Sequence, residues 1–299
     1  MAVELSVLIV NWNAGAWLRP CLQALESRAG ASFEAIVVDN ASSDDSLAIL
    51  RGGFPWVTLV EAGANLGFAA GANLAAQRAQ GDELLLLNPD AILGEGTIPL
   101  MRSHLASIPR VGVVGAGLFD PDGQPQGGAT GSFPSPIAAL SYALGLGRLV
   151  PALPRLYQGE ISEAREMDWV SGACCLVRRQ VWEEMGGLDD GFFLYLEDVD
   201  FCRRARQRGW RVAFLPQARV IHGLGHSLLQ APHSLARQRA GYARYFAKHG
   251  GGPTWALMAA LAGGFWLRLG WHAARFAVTR RPEHRQRVRL AWRALRALG

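Results

Sequence analysis

Short apolar runs alternate with helical patterns through the first three quarters of the chain. Leu5-Ser6-Val7-Leu8-Ile9-Val10, Ala35-Ile36-Val37-Val38, Val57-Thr58-Leu59-Val60 and Leu84-Leu85-Leu86-Leu87 are each bounded by polar residues. Such runs suit strands covered on both faces. Helices are predicted between them: from near Ala16 past Leu25, after the polar stretch Asp39–Ser46, and from Asn65-Leu66-Gly67-Phe68 onward. Further on come a helix over Thr97–Ser107, a strand at Val111–Gly115, a strand within Met167–Val177, a helix over Gln180–Met185 and a basic helix over Phe201–Arg208. Two short strands, Arg211–Leu215 and Ala218–His222, follow. The alternation predicts an α/β fold, a doubly wound, mostly parallel sheet with flanking helices. Gln124–Arg165 is rich in Gly and Pro with weak periodicity, and reads as a variable, partly mobile loop.

The pattern changes near residue 230. Gln238 opens a helical stretch, Gly250-Gly251-Gly252-Pro253 breaks it, and Thr254–Val278 resumes with many aromatic residues. Arg268, His272 and Arg275 recur at helical spacing and read as one polar stripe. The uncharged sequence before Arg268 barely reaches the roughly 17–25 apolar residues of a spanning helix. A helix lying in the membrane interface is therefore expected ahead of a spanning one. The expected division is 1–230 as an α/β domain and 231–299 as a helical, membrane-associated segment.

Composition sharpens this picture in a few places. Of the net charge of +5, a large share lies at the end, where Arg280, Arg281, Arg285, Arg287, Arg289, Arg293 and Arg296 face Glu283 alone. A basic tail beside aromatic sequence points to an anionic membrane surface. No nucleic-acid module accompanies it, so nucleic acid is not the expected partner. Cys21, Cys174, Cys175 and Cys202 show neither a disulfide framework nor zinc spacing, which suits a reducing compartment. Met1–Glu4 lacks the basic region of a signal peptide. The turn after the first strand, Asn11-Trp12-Asn13-Ala14-Gly15, is not G-x-G-x-x-G, which argues against an NAD-type site.

Candidate chemistry gathers where the strands end. Asn11–Asn13, Asp39–Ser46 and Asn88–Asp90 leave their strands at one end of the sheet, the end where open α/β sheets bind ligands. Pro89 cannot donate a ladder hydrogen bond, so Asp90 is held just past a buried strand. A hard cation chelated by a diphosphate needs only one or two protein carboxylates, and Asp90 can be one; Asn-Pro-Asp is equally a turn signal. Asp39 can accept a base N–H, and Asp44 or a nearby hydroxyl can meet ribose, although the same loop makes a good helix cap. Glu197 and Asp198 read either as acids favoured by a helix dipole or as a general base against an aromatic wall. His222 ends an apolar run before glycines, either as packing or as a second ligand beside Asp90.

Taken in order, Val10-Asn11-Trp12-Asn13, Val38-Asp39-Asn40-Ala41-Ser42-Ser43-Asp44, Asn65-Leu66-Gly67-Phe68, Leu87-Asn88-Pro89-Asp90, Trp169-Val170-Ser171-Gly172, Glu197-Asp198 and the His222 loop resemble a family 2 glycosyltransferase with the GT-A nucleotide-sugar fold. The resemblance spans roughly residues 5–230 and is closest to the rhamnosyltransferase-like branch that builds cell-envelope polysaccharides. It implies that Asp39 binds the nucleobase, with Asn11, Trp12, Asp44, Asn65, Asn73 and Asn88 around the nucleotide. It implies Mg²⁺ or Mn²⁺ at Asp90 and His222, and Asp198 as catalytic base with Glu197 supporting it or touching the acceptor. Trp169, Ser171 and Gly172 are then placed against the acceptor or donor sugar. The implied partners are a nucleotide-diphosphate sugar, with dTDP-rhamnose first, and a glycan or lipid-linked acceptor. Transfer would invert the anomeric centre at the inner face of the cell membrane. One departure stands out: the metal motif reads Asn88-Pro89-Asp90, without its first acid. A sugar nucleotidyltransferase is the alternative among enzymes, but Asn11–Gly15 lacks the basic residue of a triphosphate loop. An inactive membrane-bound scaffold is the alternative outside enzymes; retention of both Asp90 and Asp198 argues against it.

Overall fold

A computed structural model describes residues 3–29, 32–146, 150, 152–223, 232–279, 288–289 and 291–292, with the side chains of 232–235 and 279 left aside. The chain divides into two compact units, Met1–Thr130 with Gln158–Leu224, and Gly131–Tyr157 with Gly225–Gly299. Residues 131–157 therefore group with the C-terminal helices.

The first unit opens as a parallel βαβ series: β1 (Leu5–Asn11), α1 (Gly15–Arg28), β2 (Phe33–Asp39), α2 (Ser46–Gly53), β3 (Val57–Glu61), α3 (Phe68–Ala76) and β4 (Glu83–Leu87). There follow β5 (Ala91–Leu93), α4 (Thr97–Ser107), β6 (Val111–Phe119), β7 (Thr130–Gly131) and, in the second unit, α5 (Pro136–Leu144). The first unit resumes with β8 (Arg165–Glu166), β9 (Trp169–Val170), β10 (Cys174–Arg178), α6 (Arg179–Met185), α7 (Glu197–Gln207) and β11 (Arg211–His222). The large sheet runs β3-β2-β1-β4-β10-β6-β11-β5, with β8 beside β11.

Strands β3, β2, β1 and β4 are mutually parallel, and their register sets Asn11 opposite Asp39 and Asp39 opposite Glu61. The leucines of β4 are buried at 0–3 % exposure in the middle of this sheet, as their unbroken apolar run requires. Strand β10 enters antiparallel between β4 and β6, and β5 pairs antiparallel with β11 at the far edge.

Four local readings change. The turn after Asp90 continues into β5, because Ala91, Ile92 and Leu93 find partners in His222, Ile221 and Val220. The apolar run Met167–Val177 is two pieces, β9 and β10, since the chain turns at Ser171-Gly172 to give Gly172 N–H to Asp198. Arg211–Leu215 and Ala218–His222 are one strand, β11, with a register shift between Leu215 and Arg219 around Pro216, which has no ladder donor. Helix α7 begins at Glu197, four residues before Phe201, so the acids lie in its first turn.

In the second unit, the stretch read as an irregular loop holds α5, capped by the Ser135 hydroxyl accepting from Ala138 N–H and closed by left-handed Gly145. Its faces carry little polar contrast, so helical periodicity is faint in the sequence. Helices α8 (Pro232–His249) and α9 (Thr254–Thr279) follow. Helices α5 and α9 approach closely at Gly264, where an added Cβ would stand 2.5 Å from that of Ala143. Tyr142 packs edge-on against Tyr157 and Phe265, and Gln238 donates to the Tyr157 hydroxyl. No helix among the described residues is long and apolar enough to cross a membrane. Arg280, Arg281, Arg285, Arg287, Arg293 and Arg296 of the basic tail, and Gly225-His226-Ser227 after His222, lie outside the described residues.

Candidate active site

Asn11 and Asp39 end neighbouring parallel strands, and both are buried. Asn11 Nδ2 donates to Asp39 Oδ1 at 2.8 Å and to Ser42 Oγ at 3.0 Å, while Ser42 N–H donates to Asp39 Oδ2. The Asp39 carboxylate is thus aimed by three short polar links. Asn11 Oδ1 and Asn40 Oδ1 are buried without a partner, and such unmet acceptors concentrate where a ligand completes them. Trp12, 47 % exposed, stands beside them. Asp44 accepts from Gly15 N–H and Ser46 N–H, tying the starts of α1 and α2 together. Slight burial opposes ionisation there, but the Ser46 and Gly15 contacts hold its carboxyl below the usual range. Asn40 donates to Gly67 O, and Asn65 accepts from Gly67 N–H, which fixes the entry to α3. Gly67 has φ of 83°, and a Cβ there would strike Phe193 O.

The β5–β11 register brings Asp90 and His222 together. Asp90 Oδ1 lies 3.2 Å from His222 Nε2, and Gly223 N–H donates to Asp90 O. Asn88 Nδ2 stands 3.3 Å from the same Nε2. Gln126, absent from the motif readings, clamps the histidine: its Nε2 donates to His222 O at 2.9 Å, and its Oε1 faces His222 Nδ1 at 3.0 Å. A backbone carbonyl only accepts, so the Gln126 amide has one orientation, and Oε1 must accept from Nδ1–H. Nε2 is thereby turned to the Asp90 side, and in the neutral ring it is the nitrogen with the lone pair, through which histidine binds metals.

A hard cation fits this pair. A cation with bonds of about 2.1 Å and near-right angles has adjacent ligand atoms roughly 3.0 Å apart, close to the Asp90–His222 separation. No group of three or more His, Cys, Asp or Glu suited to a metal occurs among the described residues. Two protein ligands suit a cation whose remaining positions go to phosphate and water. Gln126 also borders a cavity of about 410 Å³ that residues 158–162 help to wall.

Glu197 and Asp198 open α7 after two left-handed non-glycine residues, Tyr195 at φ 74° and Leu196 at φ 72°. Such backbone is held only where the surroundings impose it. Asp198 is partly exposed; its Oδ2 accepts from Gly172 N–H at 2.9 Å and its Oδ1 from Val199 N–H at 2.8 Å. Glu197 is buried, and its Oε2 has no partner. Burial, then the adjacent Asp198 charge, pushes the Glu197 carboxyl well up. Burial also raises Asp198, against the lowering pull of the Gly172 and Val199 N–H groups. The environments of the two acids differ: the Gly172 and Val199 N–H groups favour the charged form of Asp198, while burial favours the neutral form of Glu197.

These clusters are contiguous. Asn40 N–H bonds Asn11 O, Phe68 N–H bonds Phe193 O, and Asn88 N–H bonds Ala173 O. The space beside Gly172 is bounded by the Phe68 ring and Asp198 Cβ. Other motif residues make local contacts. The Asn73 amide is engaged at both ends by the Leu188 backbone, donating at 2.8 Å and accepting at 2.9 Å. Trp169 is buried at 4 % exposure, and its carbonyl accepts from Thr130. Ser171 Oγ accepts from Ala173 N–H within the turn. The four cysteines are buried and free, and burial pushes Cys174 and Cys202 up to about 12.

Residues 3–241 match the family model described as "Glycosyltransferase like family 2". The chain belongs to glycosyltransferase family 2. It is a glycosyltransferase, and its similarities extend to proteins of the rhamnosyltransferase-like branch. The N-acetylglucosaminyl-diphospho-decaprenol L-rhamnosyltransferase of Mycobacterium tuberculosis is 31 % identical over 268 residues, covering 84 % of this chain and 87 % of that protein. The low-salt glycan biosynthesis hexosyltransferase Agl10 of Haloferax volcanii is 28 % identical over 233 residues, covering 74 % and 68 %. Among solved structures, the mannosyltransferase of Pyrobaculum calidifontis in complex with GDP-Man and Mn²⁺ has a TM-score of 0.63 at 16 % identity, covering 99 % of this chain and 86 % of that one. TarS of S. aureus in complex with UDP-GlcNAc has a TM-score of 0.55 at 14 % identity, covering 99 % and 82 %. The glycosyltransferase has the GT-A fold, with its C-terminal helices.

Proposed function

We propose that this glycosyltransferase moves rhamnose from dTDP-rhamnose to a hydroxyl of a lipid-linked glycan acceptor, with inversion, in cell-envelope polysaccharide synthesis. The observation that carries the chemistry is the Asp198 carboxylate, fixed by two backbone N–H groups beside Gly172. The similarity to the N-acetylglucosaminyl-diphospho-decaprenol L-rhamnosyltransferase supports the choice of sugar and acceptor.

In the proposed reaction Asp198 accepts the acceptor O–H proton. The acceptor oxygen bonds to the anomeric carbon as the bond from that carbon to the diphosphate oxygen breaks on the opposite face. One displacement leaves inverted stereochemistry and a nucleoside diphosphate. Burial, which pushes the Glu197 carboxyl well up, favours its O–H form over a second charge beside the base. Asp39, with Asn11 and Trp12, binds the nucleobase; Asp44, Asn65 and Asn88 border the nucleotide. Asp90 and His222 hold Mg²⁺ or Mn²⁺, which when bound supplies Lewis-acid neutralisation of the leaving diphosphate. Gln126 keeps the His222 lone pair on the metal side. The cavity beside Gln126 supports an acceptor path along residues 158–162. The basic, aromatic C-terminal segment supports peripheral attachment at the inner face of the cell membrane.

A thermal-shift panel of UDP-, GDP- and dTDP-sugars, with and without Mn²⁺, tests the donor. A ligand that binds only the folded state raises its stability by mass action. A metal-dependent shift with dTDP-rhamnose is expected; a shift with another nucleotide family alone would overturn the donor, and no shift with any would overturn the nucleotide site.

A further inference from the structure

A helix packed on a globular core turns its apolar face inward and its polar face to water. Helix α9 buries Leu257 and Leu261 but leaves large apolar groups on its open side as well. Trp255, Trp266, Trp271 and Val278 are 72 %, 54 %, 61 % and 84 % exposed; at about 100° per residue they spread over the open half of the helix, Trp255 with Trp266 on one flank and Trp271 with Val278 on the other. Arg268 is half-buried and His272 is buried. The polar stripe read from the sequence therefore does not form the open face: two of its members turn inward, and Arg275 alone of the three is exposed. Helix α5 behaves likewise, with Ile137 at 65 % and Leu140 at 39 %. Large apolar groups left in water at this density mark an interaction surface.

Charge decides what covers it. Of the chain's 25 acidic residues, Glu283 is the sole one in 131–157 and 225–299, while these segments carry half of the 30 Lys and Arg. A protein partner would need a matching acidic, apolar surface, and a second copy would bring the same positive charge against itself. An anionic bilayer offers both an apolar interior and a negative surface, and Trp settles at the headgroup level between them. Arg275 lies over the Trp271 ring at 5.7 Å, a basic group already beside the aromatic face.

We propose that the outward faces of α5 and α9 dock this glycosyltransferase on an anionic lipid bilayer, with Trp255, Trp266 and Trp271 seated at the headgroup level. The proposal names the surface behind the membrane reading above and rests on it. Helix α5, which lies in the stretch read from the sequence as a variable loop, becomes a membrane-docking element.

Vesicle flotation of the full chain tests it, with phosphatidylcholine vesicles with and without phosphatidylglycerol. The triple variant Trp255→Ser, Trp266→Ser, Trp271→Ser is compared with the natural chain, and Ile137→Ser is a second, milder variant on the other helix. Circular dichroism and the donor-induced thermal shift verify that each variant is folded. The expected result is flotation of the natural chain with anionic vesicles, weakened by salt, and at least a tenfold lower partition for the triple variant, with a smaller fall for Ile137→Ser. Equal flotation of natural chain and variants would overturn the docking face and leave the membrane reading standing. No flotation of the natural chain with any vesicle would overturn both. A loss of dimer in the triple variant, with unchanged flotation, would assign the face to a second copy instead.

Discussion

The two units use similar residues in opposite ways. In the first unit, apolar groups fill a sheet, and among its described residues the large hydrophobic side chains that reach water stop at 47 % exposure, at Trp12. Its polar groups are turned inward and largely paired, as in the Asn11–Asp39–Ser42 and Asp90–His222–Gln126 clusters. In the second unit, tryptophans stand in the open, His272 is buried, and acids are almost absent. Buried, oriented polar groups make a reaction site because they are held where water would otherwise compete. Exposed apolar groups beside positive charge make an attachment surface. Chemistry and location are thus carried by different parts of one chain.

Breaking the chemical half gives the largest effects. Asp198→Asn removes the base, and transfer should fall by about 10²–10⁴-fold while the donor-induced thermal shift persists. Unchanged turnover would remove Asp198 from that role. The same assignment fixes a pH dependence. Because burial raises the Asp198 pKa, the acid form persists to higher pH than in a free aspartate. The transfer rate should rise with pH through that elevated pKa and be lost below it. A rate that stays flat down through the ordinary aspartate range would contradict the assignment.

A smaller effect is expected one step away from the reaction. Gln126→Leu frees the His222 ring, so Mn²⁺ affinity in the presence of a nucleoside diphosphate should fall about 10–100-fold, as for other groups that orient a metal ligand. The ¹⁵N shifts of His222 in the metal-free protein should change from the Nδ1–H tautomer to a mixture, a signature that simple destabilisation would not produce. Retained tautomer and affinity would leave Gln126 a structural residue.

The smallest expected effects on catalysis come from residues used for packing. Asn73→Ala deletes both hydrogen bonds to Leu188, and unfolding stability should drop by about 1–3 kcal/mol with donor KM unchanged. A raised KM at native stability would return Asn73 to the nucleotide site. Leu85→Ala, in the middle of the sheet, should lose about 2–5 kcal/mol in denaturant unfolding without shifting the pH profile.

The elements that sequence patterns located well are those whose signals are local. Leu84–Leu87 is apolar without a break and lies in β4; Thr97–Ser107, between Gly96 and Ile108-Pro109, forms α4. The polar loops at Asn11, Asp39 and Asn88 were legible because each follows a strand directly. Gln126 was not, since it lies in irregular chain and meets His222 only through folding, 96 residues apart in sequence. Nor was the start of α7, where left-handed Tyr195 and Leu196 precede the acids although neither residue type favours that conformation.

By itself the sequence determined the strand and helix order, the chemistry available at each strand end, and the concentration of positive charge in the C-terminal segments. Period-two and period-3.6 patterns and charge counts are properties of neighbouring residues, and they survive without a fold. The tertiary structure decided pairing and sidedness. Register across β5 and β11 set Asp90 against His222, and the turn at Gly172 supplied the N–H that holds Asp198. Packing at Gly264 and Ala143 brought α9 against α5, while its tryptophans stayed exposed. An amphipathic pattern states that a helix has two faces; which one meets water depends on what packs against it.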